Sequence, residues 1–234
     1  MTISGIQKMT LLDFPGKVAC TVFLHGCNYR CPFCHNAELL AGMPEPLMTA
    51  EEFLSFLKKR TGLLDGVCIS GGEPTLSPGL KEFLAQIKAL GFAVKLDTNG
   101  SRPGVLKELV AEGLVDYVAM DIKNSPGRYA VTCGVAKIDL SAIEESAAFL
   151  MSGAVDSEFR TTVVSPLHDE ESIVEMGRWL HNLAGKEPVK KLFLQPFVDR
   201  DTVVFSGLST PESTEMAHFA ELLKPFVFQV SVRG

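Results

Sequence analysis

Short apolar runs alternate with amphipathic segments along almost the whole chain. The apolar runs are expected to be strands at 17–25, 66–70, 92–97, 115–122, 158–164, 191–196 and 226–232. The segments between them are expected to be helices, the first of them capped by Thr49, at 49–60, 79–90, 103–112, 139–151, 169–183 and 211–223. Repeated strand–helix units favour a parallel sheet whose right-handed crossovers place every strand-to-helix loop at one edge.

The number of these units predicts the architecture. Six core units fall short of the eight that close a full barrel. The expected fold is therefore α/β: a laterally open, partial (β/α)6 TIM-like barrel with a parallel sheet, to which the run at 226–232 adds a C-terminal edge strand. No shift in composition and no low-complexity stretch divides the chain, so a single domain over residues 1–234 is expected.

Composition and charge exclude several classes of function. With 46% hydrophobic residues, the chain can bury a full core without disulfides. A net charge of −6 and the lack of a basic stripe argue against nucleic-acid binding. The first residues lack the pattern of a signal peptide, and no apolar stretch reaches the ~18 residues of a membrane span, so a cytoplasmic protein without membrane contact is expected. The six cysteines should then be thiols or metal ligands.

Three cysteines, Cys27, Cys31 and Cys34, follow the first expected strand in a C-x3-C-x2-C pattern. Thiolates suit soft metals and iron–sulfur clusters. A [4Fe–4S] cluster has four irons and this loop supplies three thiolates, so one iron is left for an exogenous ligand. That arrangement is typical of a catalytic cluster.

The same loop is compatible with three other kinds of site. Cys31 to His35 matches the C-x2-C-H pattern of covalent haem attachment, and Cys31 with Cys34 matches a redox pair. Haem attachment accompanies export and leaves Cys27 without a role, and a redox pair normally belongs to a smaller βαβ context. A Cys3His zinc site that includes His35 is the more serious alternative, although neighbouring Cys34 and His35 fit one tetrahedron poorly.

A glycine-rich turn, Gly71-Gly72-Glu73-Pro74-Thr75, follows the second expected strand. Active sites of such folds collect at the carboxyl ends of the strands. The two glycines let the backbone approach a ligand and leave its N–H and C=O groups for binding. An ordinary strand-to-helix turn would use the same residues.

Charged residues follow the next strands. Asp97, Thr98 and Asp121 offer oxygen ligands of the kind that hard cations prefer, and Lys123 can meet a carboxylate ligand. The alternative is an internal ion pair between aspartate and lysine beside an Asn-Gly turn. Arg160 interrupts the apolar run of the fifth strand, either as an anion clamp at the strand tip or as an outward residue on an edge.

The remaining cysteines and histidines carry no evident chemistry. Cys20 and Cys68 lie within apolar strands and are expected to be small buried hydrophobes. The loop of Cys133 could face solvent, and its role stays open. His168 and His181 are expected on the surface around a helix.

Together these motifs resemble the radical S-adenosylmethionine (SAM) superfamily, over most of the chain. The resemblance lies in the C-x3-C-x-aromatic-C loop, the Gly-Gly-Glu-Pro turn and the partial β/α barrel. Local detail is similar to the glycyl-radical-enzyme activases, and among them to the longer form of the activating protein of anaerobic ribonucleoside-triphosphate reductase. The segments that carry this detail are Leu12–Lys17 (LDFPGK), Cys34-His35-Asn36, Asp97–Gly100 (DTNG) and Asp121-x-Lys123.

The resemblance implies a set of ligand contacts. The ligands of a [4Fe–4S] cluster would be Cys27, Cys31 and Cys34. The residues that bind SAM would be Phe33, His35, Gly71, Gly72, Glu73, Asp97, Asp121, Lys123 and Arg160. Among them the turn 71–73 would fix the amino end of SAM, Asp121 and Lys123 would frame its carboxylate and ribose, and Phe33 and His35 would lie against the adenine.

Three details of related activases bear on this chain. A monovalent cation lies beside the SAM carboxylate, and its candidate ligands here are Asp97, Thr98 and Asp121. Some activases carry a SAM-contacting histidine just after the sixth strand, which the segment 194–198 lacks. Others carry an inserted ferredoxin-like module, for which the cysteine-free segment 36–49 is too short, so one cluster is expected.

The implied reaction is reductive cleavage of SAM to methionine and a 5′-deoxyadenosyl radical, which abstracts a glycine Cα hydrogen from a glycyl radical enzyme. The expected partner is anaerobic ribonucleoside-triphosphate reductase, and the expected electron donor is a flavodoxin- or ferredoxin-type protein. The cofactors supply the chemistry, so no catalytic side chain is expected. Two alternatives stay open: a radical SAM enzyme acting on a small molecule or peptide, and a zinc-binding module without catalysis.

Overall fold

A computed structural model of the chain describes residues 1–40, 46–185, 189–203 and 205–233. Its strands are β1 (Ile3–Thr10), β2 (Ala19–Leu24), β3 (Gly66–Gly71), β4 (Ala93–Thr98), β5 (Tyr117–Asp121), β6 (Asp156–Val163), β7 (Val189–Pro196) and β8 (Val227–Val232). Its α-helices are α1 (Ala50–Lys58), α2 (Leu80–Ala89), α3 (Pro103–Ala111), α4 (Tyr129–Thr132), α5 (Leu140–Met151), α6 (Glu170–Ala184) and α7 (Ser213–Leu223). None of the helices in these ranges is long and apolar enough to cross a membrane.

The eight strands form one sheet in which their order follows the chain from β1 to β8. Strand β2 pairs parallel with β3, β3 with β4, β6 with β7, and β7 with β8. Strand β1 pairs antiparallel with β2 at one edge and β8 lies at the other, so the sheet is open. The expected fold class is therefore confirmed, with six core strands, β2 to β7, and a C-terminal edge strand.

Strand β1 has no counterpart among the expected elements. Only its end residues, Ile3 and Thr10, are buried, and the residues between them are partly or fully exposed. Its register pairs Ile3 with Leu24 and Thr10 with Ala19, with irregular steps in between. The strand is held by its pairing with β2, which a local apolar pattern does not reveal.

The residues group into two compact units. The first consists of Met1–Asn28, Glu38–Thr98 and Arg102–Ala119, and the second of Tyr29–Ala37, Asn99–Ser101 and Met120–Gly234. The first unit contains β1 to β4 with α1 to α3, the second contains β6 to β8 with α4 to α7, and β5 contributes residues to both. A single domain over residues 1–234 stays a prediction.

In the first unit, helix α2 packs on strand β4 and on helix α1. Strands β2 and β3 are almost continuous buried apolar runs, as expected of parallel strands covered on both faces. Helix α1 begins at a capping box, in which the side chains of Thr49 and Glu52 accept each other's backbone N–H groups, so the expected N-cap is confirmed. Phe53 of α1 and Phe83 of α2 contact each other with ring centroids 5.6 Å apart.

In the second unit, the short helix α4 has no counterpart among the expected elements. Its first residue, Tyr129, is fully buried and meets the ring of Trp179 edge-on, with centroids 5.9 Å apart. The Trp179 Nε1–H donates to Oε1 of Glu144 over 2.9 Å. A four-residue helix carries too little periodicity to be recognised from sequence, and this one is held by aromatic packing.

Candidate functional site

The loop with the three cysteines begins directly after β2. Cys27 belongs to the first unit, where its Sγ lies 3.9 Å from Oδ1 of Asn28. Cys31 and Cys34 belong to the second unit, in a turn that the Cys34 N–H closes on the Cys31 carbonyl over 3.1 Å. All three thiols are half-buried. Cys20 and Cys68, which were expected to be small hydrophobic residues within strands, are fully buried.

The pKa of Cys31 is set by its neighbours. A hydrogen bond from Cys133 lowers this pKa, burial raises it, and the Lys123 ammonium lowers it again, so that it falls to about 7. At Cys34 burial dominates and raises the pKa of the thiol. Because the thiolate is the form that binds metal, Cys31 is prepared to act as a ligand near neutral pH.

The Gly-Gly-Glu turn after β3 is tied to the end of β2. The Gly72 N–H donates to the Leu24 carbonyl over 3.0 Å, and the Glu73 N–H donates to the Gly26 carbonyl over 2.8 Å. These two N–H groups are engaged within the protein, so the expectation that the turn leaves its donors for a ligand is wrong for them. A Cβ at Gly72 would lie 2.0 Å from the Gly26 oxygen, and one at Gly71 would lie 2.4 Å from Leu24 backbone atoms. Glycine is therefore required here by the approach of two backbone segments.

The carboxylate of Glu73 is fully buried. Its Oε1 accepts hydrogen bonds from the Thr75 N–H over 3.0 Å, from the Thr75 hydroxyl, and from the Thr98 hydroxyl over 2.9 Å. Thr98, a candidate cation ligand, thus also orients Glu73. The carboxylate is held in one position before any ligand arrives.

Asp97, at the end of β4, is held by two residues that the sequence did not single out. Its Oδ1 forms an ion pair with Lys95, and its Oδ2 accepts a hydrogen bond from the Ser70 hydroxyl over 3.0 Å. The Lys95 side chain is almost completely buried. A lysine inside an apolar strand was the available signal, because a buried charge requires a partner.

Asp121, Lys123 and Arg160 form an ionic group in the second unit. The Lys123 Nζ lies 2.9 Å from Oδ2 of Asp121, and the Arg160 Nε lies 3.2 Å from Oδ1. Burial lowers the pKa of Lys123, but attraction by Asp121 and by Cys31 outweighs it and holds this pKa well above its ordinary value. The internal aspartate–lysine pair that the sequence left open is present, and Arg160 points to the same carboxylate.

Phe33 and His35 both pack against the end of β7. Phe33 is buried with Val164 and Phe197. The His35 ring stacks on Phe197 with centroids 5.6 Å apart, and its Nε2 donates to the Val198 carbonyl over 2.7 Å. Although the segment after β7 contains no histidine, a histidine from the cysteine loop lies against it.

His168 lies elsewhere than expected, and Cys133, whose position the sequence left open, is buried. His168 is buried rather than on the surface: the Val164 N–H donates to its Nδ1 over 3.2 Å, and its Nε2 donates to the Lys123 carbonyl over 2.8 Å. Cys133 is fully buried, and a hydrogen bond from its thiol is the largest of the effects that lower the pKa of Cys31. Both positions depend on tertiary contacts, which the local sequence around these residues does not indicate.

In the described part of the chain, no three His, Cys, Asp or Glu side chains form a site for a single metal ion. The cluster ligands and the cation ligands named from the sequence therefore stay predictions.

Comparisons with known proteins show which proteins the chain is similar to. Residues 21–180 match the model of the Radical SAM superfamily. The chain is 31% identical, over 99% of its length and 95% of the relative, to a Methanocaldococcus jannaschii protein provisionally named a glycyl-radical enzyme activating enzyme. It is 32% identical to the pyruvate formate-lyase-activating enzyme of Clostridium pasteurianum, over 81% of this chain and 80% of that protein.

A solved structure shows the same fold. It is a domain of pyruvate-formate lyase-activating enzyme from Bacteroides vulgatus, with a TM-score of 0.58 and 19% identity over 72% of this chain and 99% of that one. The chain belongs to the radical SAM superfamily. Within the superfamily, it groups with the glycyl-radical enzyme activating enzymes. The superfamily uses a [4Fe–4S] cluster and SAM, the two cofactors expected from the sequence.

The residues present fit these cofactors. Cys27 in the first unit and Cys31 and Cys34 in the second are half-buried thiols, the kind of ligand that holds a [4Fe–4S] cluster. The buried carboxylate of Glu73 is oriented by hydroxyl donors, as an acceptor for an ammonium group would be. The Lys123 ammonium and the Arg160 guanidinium supply cations for a carboxylate ligand.

Proposed function

We propose that this chain is an activase that generates a glycyl radical on a partner enzyme, with a [4Fe–4S] cluster on Cys27, Cys31 and Cys34 and with SAM as co-substrate. The observation that carries the proposal is the 31% identity to the M. jannaschii relative over 99% of this chain and 95% of that protein. A relationship over both full lengths includes the cysteine loop, the glycine-rich turn and the strand ends together.

The amino end of SAM would be held in the first unit by Gly71, Gly72 and Glu73. Glu73 supports this role because its carboxylate is already oriented by Thr75 and Thr98. A preorganised acceptor costs no rearrangement when the ammonium group binds. Asp97 and Thr98, with Asp121, would hold a monovalent cation.

The carboxylate and ribose of SAM would be met in the second unit by Asp121, Lys123 and Arg160. The raised pKa of Lys123, maintained by Asp121 and Cys31 against the effect of burial, keeps it an ammonium across the neutral range. Phe33 and His35 would lie against the adenine, with the His35 ring fixed by its hydrogen bond to the segment after β7.

The cluster would be held by Cys27, Cys31 and Cys34, and together with SAM it would supply the radical chemistry: reductive cleavage of SAM by an electron from an outside reductant and removal of a hydrogen atom from the glycine Cα of the partner. The side chains of this protein would bind and orient the cofactors and would exclude water from them. None of them needs to transfer a proton.

For the partner we propose anaerobic ribonucleoside-triphosphate reductase, on the resemblance of the local motifs. The C. pasteurianum relative, a pyruvate formate-lyase-activating enzyme, favours pyruvate formate-lyase as a second candidate. A flavodoxin- or ferredoxin-type protein would supply the electron, and the reaction would take place in the cytoplasm.

The test is radical transfer to a defined partner. The protein is reconstituted anaerobically with iron and sulfide, then mixed with SAM, dithionite and either anaerobic ribonucleoside-triphosphate reductase or pyruvate formate-lyase. We expect a doublet electron paramagnetic resonance signal on one partner and an equal amount of 5′-deoxyadenosine. The matched control is the same partner with its radical-bearing glycine replaced by alanine, which should give no doublet.

Other outcomes separate the alternatives. Formation of 5′-deoxyadenosine without a radical on either partner would contradict the activase and favour a small-molecule or peptide substrate. A protein that retains zinc and no iron after reconstitution would contradict the cluster itself.

A further inference from the structure

Cys133 is a buried thiol to which the proposed function gives no role. It follows α4 directly and is fully buried, and its thiol is the strongest of the influences that lower the pKa of Cys31. Buried cysteines are usually small hydrophobic fillers. This one instead contacts a residue that is proposed to bind iron.

The backbone around Cys133 is joined to the cysteine loop. The Arg30 N–H donates to the Cys133 carbonyl over 2.8 Å. The next residue, Gly134, has a φ of +64°, and a Cβ there would lie 1.9 Å from the Arg30 carbonyl oxygen. The two segments therefore touch at consecutive residues, Arg30 and Cys31 on one side and Cys133 and Gly134 on the other.

The segment that carries Cys133 is itself well anchored. The Thr132 hydroxyl donates to the Arg128 carbonyl over 2.8 Å and accepts from the Asn124 side-chain amide over 2.9 Å. The Cys133 N–H donates to the carbonyl of the buried Tyr129 over 2.9 Å. Such anchoring fixes the direction of the Cys133 side chain.

We propose that Cys133 is a positioning residue for the cluster, whose S–H donates a hydrogen bond to the Sγ of Cys31 while that sulfur binds iron. This inference rests on the proposed ligation by Cys31. Hydrogen bonds to the sulfurs of an iron–sulfur cluster withdraw electron density and stabilise its reduced form. Cys133 therefore makes the cluster easier to reduce, without being one of its ligands.

The test compares reduction potentials of reconstituted protein in the absence of SAM. The variants are Cys133→Ala, Cys133→Val, which keeps most of the side-chain volume without a donor, and Cys133→Ser, which keeps a donor. The control is Cys20→Ala, which removes a fully buried thiol from β2. Iron and sulfide per chain are measured first, and the reduced cluster is then titrated by electron paramagnetic resonance.

We expect all four variants to hold as much iron as the original protein. The midpoint potential should shift to more negative values in Cys133→Ala and Cys133→Val, less so in Cys133→Ser, and not at all in Cys20→Ala. If the alanine variant fails to fold, the midpoint potentials of the valine and serine variants are compared instead.

Two results would overturn the inference. The first is an unchanged potential in both donor-free variants with full iron content, which would make Cys133 a filler. The second is loss of the cluster from all three Cys133 variants, including the serine variant that keeps the donor, which would make Cys133 a ligand. A failure of the proposed cluster is distinguishable, because the unaltered protein would then not assemble one. A failure of the activase reaction alone would appear in the radical-transfer test and would leave the comparison of potentials intact.

Discussion

At the scale of single residues, the carboxylates of the candidate site share one property: each is held by neighbouring side chains. Each carboxylate has two such neighbours: Glu73 has Thr75 and Thr98, Asp97 has Lys95 and Ser70, and Asp121 has Lys123 and Arg160. Groups that are held in this way lose little conformational freedom when a ligand binds. They can therefore act as fixed contacts for a small charged molecule.

Replacing Cys31 by alanine is expected to abolish cluster retention, because one of three thiolate ligands is lost. The matched control is Cys68→Ala, since Cys68 is fully buried within β3. Iron and sulfide per chain after anaerobic reconstitution measure the result. Equal iron contents in the two variants would contradict the ligand assignment.

Replacing Glu73 by glutamine is expected to weaken SAM binding by about 10- to 100-fold, the effect of losing one charge-assisted hydrogen bond. Glutamine keeps an oxygen that can accept from Thr75 and Thr98, so the melting temperature should change little. Equilibrium dialysis with SAM gives the dissociation constant. Glu82→Gln, at an exposed position of α2, is the control, and identical affinities in the two variants would argue against a contact between Glu73 and SAM.

The sequence located these carboxylates and named several of the residues that hold them, but it did not single out Ser70 and Lys95, which hold Asp97. The place of the carboxylates at the end of an apolar run was readable, because strand ends are marked by the change from apolar to polar residues. Ser70 and Asp97 meet only because β3 and β4 pair in a particular register. Register and the contacts of Cys133 are tertiary properties, which a local pattern does not contain.

At the scale of elements, the predictions with a strong local cause were confirmed. Seven apolar runs became strands, and the N-cap of α1 formed at Thr49. Strand β1 and helix α4 were missed, because one depends on pairing with β2 and the other on the packing of Tyr129. Local propensity and capping are readable in sequence, whereas stabilisation by a distant partner is not.

Replacing Thr49 by alanine is expected to lower the free energy of unfolding by about 1 kcal/mol, because the capping box of α1 loses its hydroxyl acceptor. Urea titration followed by circular dichroism measures the change. Ser55→Ala, at an exposed position within the same helix, should be neutral or slightly stabilising. A loss of the same size at both positions would show that capping is not the cause.

Replacing Gly72 by alanine is expected to destabilise the fold by about 3 kcal/mol, because the new Cβ would meet the Gly26 carbonyl oxygen, 2.0 Å away in the present backbone. Gly104→Ala in α3 is the matched control. Nothing lies within 4 Å of a Cβ built at Gly104, so that change should be stabilising. Thermal unfolding measures the stability of both variants. A Gly72 variant as stable as the original protein would contradict the close approach of the two backbone segments.

At the scale of the whole molecule, the residues expected to bind the cluster and SAM are distributed over both units. Cys27 and the turn 71–73 lie in the first unit, and Cys31, Cys34 and Lys123 lie in the second. All of them follow carboxyl ends of strands, which explains why residues so far apart in sequence could be assigned to one function before the structure was known. The match to a relative over 99% of the chain agrees with that distribution.

The stability of the whole chain is expected to fall in mild acid through His168. Burial lowers the pKa of His168 against the opposing effect of its two backbone hydrogen bonds, with Arg128 lowering it and Asp169 raising it. The unfolded state then binds a proton that the folded state resists, so stability is lost as pH decreases below the ordinary histidine pKa of about 6.5.

Urea unfolding at about pH 7.5 and about pH 5.5 measures this loss, which is at most about 1.4 kcal/mol per pH unit for one group. His168→Gln should reduce the pH dependence relative to the original protein. An equal pH dependence in the variant and the original protein would assign the effect to other groups.

The hydrogen bond between the Glu73 N–H and the Gly26 carbonyl joins the turn that is proposed to bind SAM to the residue before Cys27. Occupancy on one side should consequently favour the bound geometry on the other, and thermodynamic reciprocity requires the two effects to be equal in size. Bound SAM would then slow the loss of iron from the cysteine loop. A cluster bound to the loop would in turn raise the affinity for SAM, through this backbone hydrogen bond as well as through direct coordination.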